Sequence, residues 1–429
     1  MQLSAQGMKI DRYWDLDFEA QPATNEAALT DQVEKMLRDS VRLRLVSDVP
    51  LGALLSGGVD SSVVVALMAQ EGGQSPKTFT IGFEEDEYSE LTQARKVAKH
   101  VGVEHHEQIL RPDVIGLLEE LVEQFDEPFA DSSMIPTYLV SRHARQHITV
   151  ALSGDGGDEV FGGYPRYLYE TFTNNLLRVP GARSAAGIAS VLWPDHWRGK
   201  VALRKMKYAE GRRYAEQMSF FDSDTRKLLH TVAAQGTTGA DEFIDTNYLP
   251  NQMTERWTPL ARLQYLDTMV GYLPGDILTK VDTASMWVSL EMRCPLLDHR
   301  LAEFMSRVPD KFKMRGRVTK YLLKKIGERL LPADILYRPK RGFSLPLREW
   351  FCGELRSYVE SVLLVPHAKI YGFLKKEAVE AILDDHVRRR LDRTQMIFAL
   401  LCLEIWLRKN ADNSKRSNAH NCARASAML

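Results

Sequence analysis

Cysteine is scarce in this chain. Four stand in 429 residues (Cys294, Cys352, Cys402 and Cys422), and no two form a C-x-x-C pair. Neither a zinc cluster nor a disulfide framework is suggested, so the expected compartment is reducing and cytoplasmic. An excess of one charge is also missing. Lys and Arg number 56 against 57 Asp and Glu, a net charge of −1. Such a balance argues against a dedicated polyanion binder, and no nucleic-acid partner is expected. No apolar run approaches the ~20 residues of a membrane span. The N-terminal MQLSAQGMKIDRYWDLDF lacks the apolar stretch of a signal peptide, so no membrane partner is expected either. Internal repeats at solenoid periods are absent as well. What remains is ordinary globular material. Hydrophobic residues make up 44% and charged residues 26%, which excludes wholesale disorder. The length suggests two or three domains or sub-domains.

Residues 1–26 are polar and aperiodic and read as an arm or linker. Leu29, Val33, Met36, Leu37, Val41 and Leu45 then recur at helical spacing. Val49–Leu55 reads as a buried strand entering a glycine turn, followed by a helix that ends at Gly72-Gly73. The alternation continues with strands near Thr78–Phe83, Glu104–Leu110 and Ile148–Leu152. The helices fall near Glu90–Val101, Val114–Phe125 and Ile135–Gln146. Strands alternating with helices predict an α/β fold, a parallel sheet flanked by helices. After about Tyr164 the strand pattern stops and Leu, Arg and Lys recur at helical spacing. The expectation is one domain over 27–410, with an α/β half at 27–164 and a mainly helical half at 165–410. The polar segment 411–429 is expected to be a disordered tail.

Two motifs carry chemistry. The first is Ser56-Gly57-Gly58-Val59-Asp60-Ser61-Ser62, between a predicted strand and a predicted helix. A glycine turn at a helix N-terminus presents backbone N–H groups and positive dipole to phosphate oxygens, and the serines add hydroxyl donors. No G-K-[ST] follows, so the loop is not a Walker A motif and has no lysine for the β- and γ-phosphates. The second motif, Ser153-Gly154-Asp155-Gly156-Gly157-Asp158-Glu159, directly follows the strand ITVAL. Its three carboxylates suit a metal–phosphate site, because Mg²⁺ is held by one or two carboxylates plus phosphate oxygens. Taken alone, the same loop is compatible with a solvated turn or a Ca²⁺ loop. In a parallel sheet, Asp60 and Asp158 would lie on loops at one edge.

A Lys-free S-G-G-x-D-S loop resembles the signature of ATP pyrophosphatases. With the second motif, the chain resembles the synthetase domain of the glutamine-hydrolysing asparagine synthetases. Further similar blocks are Thr78–Glu107, Phe125–Ala144, Leu273–Asp298 and Lys320–Leu347, so the resemblance runs from about Tyr13 to about Leu407. It implies a pyrophosphate loop at Ser56, Gly57, Gly58, Asp60, Ser61 and Ser62. It places Leu54, Ile81, Ser153 and Gly154 at the adenosine of ATP, and Asp60 and Asp158 as Mg²⁺ carboxylates. Asp155 is implied at the aspartate site, helping ammonia lose a proton. Lys340 is implied near the α-phosphate, and Lys320 close to the phosphates. The roles of Asp276, Glu291 and Arg293 stay open between shaping the site and packing ion pairs.

The implied activity is a ligase reaction. ATP and Mg²⁺ would convert aspartate to asparagine through β-aspartyl-AMP, releasing AMP and pyrophosphate. The family's N-terminal glutaminase, with its N-terminal cysteine nucleophile, has no counterpart in Met1-Gln2-Leu3. The expected nitrogen source is therefore free ammonia or a separate glutaminase subunit. Two alternatives stand beside this: a paralogue that amidates another carboxylate, and a non-catalytic nucleotide-binding subunit. The quaternary state is open, with a homodimer among the arrangements. His105-His106-Glu107 departs from H-E-x-x-H and is expected to be structural. The basic run Val387–Arg393 reads as a solvated helix face.

Overall fold

The computed structural model describes residues 2–4, 7–21, 25–73, 75–83, 90–110, 114–193, 199–231, 256–338 and 345–426, with side chains to 410. Asn25 opens α1 (Glu26–Arg44) by accepting a hydrogen bond from the Ala28 N–H. Leu29, Val33, Leu37 and Val41, four residues apart, form the buried stripe of that helix. β3 (Leu51–Leu54) leads to α2 (Val59–Glu71), whose residues Ser61–Met68 are all buried, as expected of a helix that is apolar all round. β4 (Lys77–Gly82), α3 (Leu91–Val101), β5 (Glu104–Ile109), α4 (Val114–Gln124), α5 (Met134–Arg145) and β6 (Val150–Leu152) follow in alternation. These observed elements match the predicted ones to within a few residues.

With β7 (Glu291–Arg293), the strands form a parallel five-stranded sheet in the order β5-β4-β3-β6-β7. From β3 the chain moves outward to β4 and β5, then returns to place β6 on the other side of β3. The strand order therefore reverses between β3 and β6, and such a switch point opens a crevice at the carboxyl ends. Both sequence motifs leave the sheet at this crevice. One face of the sheet packs Ala53, Leu55 and Leu152 against α1, α2 and α3. On the other face, Phe79 and Ala151 pack against Ala144, Ile148 and Leu290.

The second half is mainly helical, as expected, and adds one strand to the sheet. β7 is a fifth parallel strand beside β6. It escaped prediction because three residues, EMR, carry no alternation to detect. Arg293 and Glu291 serve packing: Arg293 bonds the Glu291 carboxylate at 2.6 Å and the carbonyls of Arg44 and Val46. Helices of this half complete the cores of the first, since Leu301, Met305, Leu322 and Ile326 join the cluster around α2. The arm is also structured. β1 (Gln2–Ser4) and β2 (Gly7–Lys9) form an antiparallel hairpin, and Leu16 and Phe18 are buried against Trp257 and Tyr265. The last helix, Thr394–Ser426, runs through most of the segment expected to be disordered. That segment contains no proline or glycine to stop a helix. The remaining helices include α6 (Gly157–Phe161), α7 (Pro165–Leu177) and α8 (Ala182–Leu192).

Glycines permit two close approaches at the motif loops, Gly57 to α3 and Gly154 to the first motif. Gly57 sits at φ +69°, and a Cβ there would lie 2.7 Å from the Ala94 nitrogen at the start of α3. A Cβ on Gly154 would lie 2.6 Å from the backbone nitrogen of Ser61. Gly154→Ala should therefore force the loops apart and destabilise the protein by about 1–3 kcal/mol. Gly187→Ala, inside α8 with open space around it, should instead stabilise by about 0.5–1 kcal/mol. Urea unfolding of both variants checks the opposite signs.

Candidate active site

The first motif forms a tight, self-bonded loop. The Ser56 and Ser61 hydroxyls lie 3.0 Å apart, and the Gly58 N–H donates to Ser56 Oγ at 3.2 Å. Gly58 is the N-cap of α2 and has no side chain to occupy the helix terminus. The first N–H groups and the positive end of the dipole are left for an anion. Ser56, Gly58, Asp60 and Ser61 line a cavity of about 540 Å³. Gly57 and Ser62 are not among its lining residues. Gly57 makes the turn, and Ser62 is fully buried in the protein.

The second motif closes against the first, and a lysine from far along the chain joins them. Lys320 Nζ contacts Asp60 Oδ2 and lies 2.8 Å from Asp158 Oδ1. Burial alone would lower the lysine's pKa, but the two carboxylates outweigh it and hold the ammonium protonated well above its usual range. Among the described residues no group of three His, Cys, Asp or Glu side chains could hold a metal. Asp60 and Asp158 fit the sparser Mg²⁺ pattern of two carboxylates plus phosphate oxygens. Their ability to share one cation is visible in the ammonium between them.

Leu54, Ile81, Ser153, Gly154, Asp155, Asp158 and Lys320 also line the cavity. Thus the sequence-predicted residues converge, with three exceptions. Gly57 and Ser62 stand behind the lining, and Lys340 lies outside the described residues. Asp155 accepts a hydrogen bond from Ser153 Oγ at 2.8 Å. Burial raises its pKa against that bond and the positive charge of Lys280.

Sequence reasoning missed several groups, left the role of Asp276 open and named Glu159 only as part of its motif. Asp131 pairs with Lys280 Nζ at 2.5 Å and accepts from the N–H and hydroxyl of Ser133. Burial pushes Asp131 up, but Lys280 and Ser133 outweigh it and hold the carboxyl below its ordinary value. Asp276 stands beside this pair on a π-helical stretch, Leu273–Leu278, and burial plus Asp131 raise it to about 7. Glu159 is likewise raised to about 7 by burial, against a hydrogen bond from the Tyr164 hydroxyl. Tyr164, Tyr272 and Lys324 also line the cavity. Glu90 and Arg338 complete the set, and burial lifts Glu90 to about 7 despite the guanidinium. Asp131 and Lys280 lie within the similar blocks Phe125–Ala144 and Leu273–Asp298, so the signal was present without a partner to reveal its use. Glu90 also lies within such a block, Thr78–Glu107, but a glutamate opening a helix is ordinary and drew no attention. His105 and His106 lie on β5, bonded to Thr78 and Glu104, in a structural role.

The Asparagine synthase family profile matches residues 32–408. This chain belongs to the asparagine synthase family. It is 33% identical over 385 residues to Asparagine synthetase [glutamine-hydrolyzing] 1 of Bacillus subtilis, covering 89% of this chain and 60% of that protein. It is 28% identical over 399 residues to the same organism's Asparagine synthetase [glutamine-hydrolyzing] 3, covering 89% and 59%. Amidase chyE of Penicillium rubens is 28% identical over 423 residues, covering 86% and 61%. The chain thus spans about three fifths of these curated relatives. Among the described residues no helix is long and apolar enough to cross a membrane.

Glu90 offers a pH test. Its folded pKa of about 7 exceeds the ordinary 4.5, so between those values the folded state binds more protons than the unfolded one. Its contribution to stability is therefore lost as pH rises from about 4.5 to about 7. Glu90→Gln, which mimics the protonated acid, should gain stability relative to the parent protein across that window. Paired denaturant titrations at several pH values measure the difference; an unchanging gap would exclude Glu90 as the titrating group.

Proposed function

We propose that this protein catalyses ATP-dependent amidation of aspartate to asparagine through β-aspartyl-AMP, releasing AMP and pyrophosphate. The observation that carries this reading is the convergence of a lysine-free glycine–serine loop with Asp60, Asp158 and Asp155 in one cavity. A loop built for a departing pyrophosphate differs from one built to hold a γ-phosphate by lacking the lysine that reaches it. Serine hydroxyls and the α2 N-terminus bind the phosphates, while Leu54 and Ile81 give apolar contact to the nucleoside. Asp60 and Asp158 would hold Mg²⁺, which would supply charge neutralisation to the departing pyrophosphate.

A β-carboxylate oxygen of aspartate bonds to the α-phosphorus, and the bond to the bridging oxygen of pyrophosphate breaks. Lys340 offsets the charge that gathers at phosphorus. Lys280, fixed by Asp131, supplies positive charge toward the acceptor's carboxylates. Ammonia then attacks the acyl carbon, AMP departs from it, and Asp155 takes the proton that nitrogen must lose. The raised pKa of Asp155 suits a base, because basicity rises with pKa. Ammonia enters free or from a separate glutaminase.

A second reading keeps the adenylation and changes the acceptor. It is favoured by the amidase names of two relatives, chyE of Penicillium rubens and chry2 of Gibberella zeae. The test is to supply ATP, Mg²⁺ and aspartate with ammonia or glutamine and to measure pyrophosphate and asparagine. The proposal expects both products with ammonia. Pyrophosphate release that requires another carboxylic acid would transfer the assignment to the second reading, and no release with any acceptor would reject both. Asp60→Asn should lower turnover about a hundredfold or more while leaving the circular dichroism spectrum intact.

A further inference from the structure

Lys320 is built into its place with unusual care. Its backbone is left-handed at φ +52°, a conformation uncommon for a residue other than glycine. The stem passes so close to Gly163 that a Cβ there would lie 2.1 Å from Lys320 Cε and 2.1 Å from Asp158 Oδ1. Its own N–H reaches back to the Gly162 carbonyl at 3.4 Å. The residue is 5% exposed, and its ammonium touches one oxygen of each of two carboxylates that belong to different loops. Strain of this kind persists where the surroundings over-determine it, and it gathers at functional sites.

We propose that the Lys320 ammonium holds the divalent-cation seat in the nucleotide-free protein, so that the cation binds only together with the triphosphate. This rests on the reading of Asp60 and Asp158 as the Mg²⁺ carboxylates. Two like charges brought this close need a counter-ion, and Lys320 provides it without any metal. A cation arriving alone would have to displace that ammonium and leave it buried without its partners, which is strongly unfavourable. It would also have to give up water for only two carboxylates, and Mg²⁺ dehydrates reluctantly. A polyphosphate removes both obstacles. Its oxygens complete the cation's ligands and give the displaced ammonium a new anion. Lys320 thus orders the binding and protects the two loops from mutual repulsion while the site waits.

The test is Mn²⁺ binding to the full chain, read by electron spin resonance, with and without α,β-methylene-ATP, which cannot be cleaved between those phosphates. The parent protein should bind Mn²⁺ weakly alone and about tenfold or more tightly with the analogue. Lys320→Met should gain about tenfold in affinity for Mn²⁺ alone, and adding Asp60→Asn should remove the gain. Lys320→Gln serves if the methionine variant does not fold. The inference is overturned if the parent binds Mn²⁺ equally with and without the analogue, or if removing the ammonium leaves nucleotide-free binding unchanged. Failure of every form to bind Mn²⁺ under any condition would instead reject the metal carboxylates themselves, and the role of Lys320 with them.

Discussion

Two carboxylates on separate loops share one buried ammonium, and much of the architecture is arranged around that contact. Asp60 follows β3 and Asp158 follows β6, neighbours at the point where strand order reverses. Bringing them together opposes like-charge repulsion and requires backbone to approach backbone. The glycines solve the second problem: side chains at 154, 157 or 163 would collide with Asp60, Ser61 or Asp158. Lys320 solves the first, from a position 260 residues after Asp60. The helical half is therefore part of the site as well as its cover.

The cavity lining and the residues directly behind it gather carboxyls whose protonation is displaced toward neutrality. Glu90, Glu159 and Asp276 are each raised to about 7 by burial, while Asp131 is held low by Lys280 and Ser133. Displaced values cluster where a protein must move protons or bind charge. The π-helical stretch that carries Asp276 belongs to this pattern, since such irregular turns recur at functional sites. Around it, Arg166 lies over the rings of Tyr164 and Tyr272 and pairs with buried Asp267 at 2.6 Å. This network fixes a wall of the cavity by cation–π and ionic contacts.

Long periodic segments were legible from residue spacing because burial of one face imposes a period. The stripe Leu29, Val33, Leu37, Val41 and the apolar run through α2 are of that kind. Short or locally featureless elements were not. The hairpin Gln2–Ser4 and Gly7–Lys9 and the strand Glu291–Arg293 are three residues each, too brief for a period. Helicity in the polar segment beyond 410 also escaped, because composition reports solubility more directly than it reports the absence of helix breakers.

The sequence by itself determined the chemistry of the two motif loops and their place between strand and helix. Residue type at fixed spacing decides which turn can form and which ligand its backbone admits. Only the tertiary structure decided which distant groups meet those loops. Lys280 reaches Asp131 across 149 positions, and Lys320 reaches Asp60 across 260. Such pairings depend on how helices pack onto the sheet, and local spacing carries no record of that. The protonation states follow for the same reason, because burial and neighbouring charge exist only after the chain has folded.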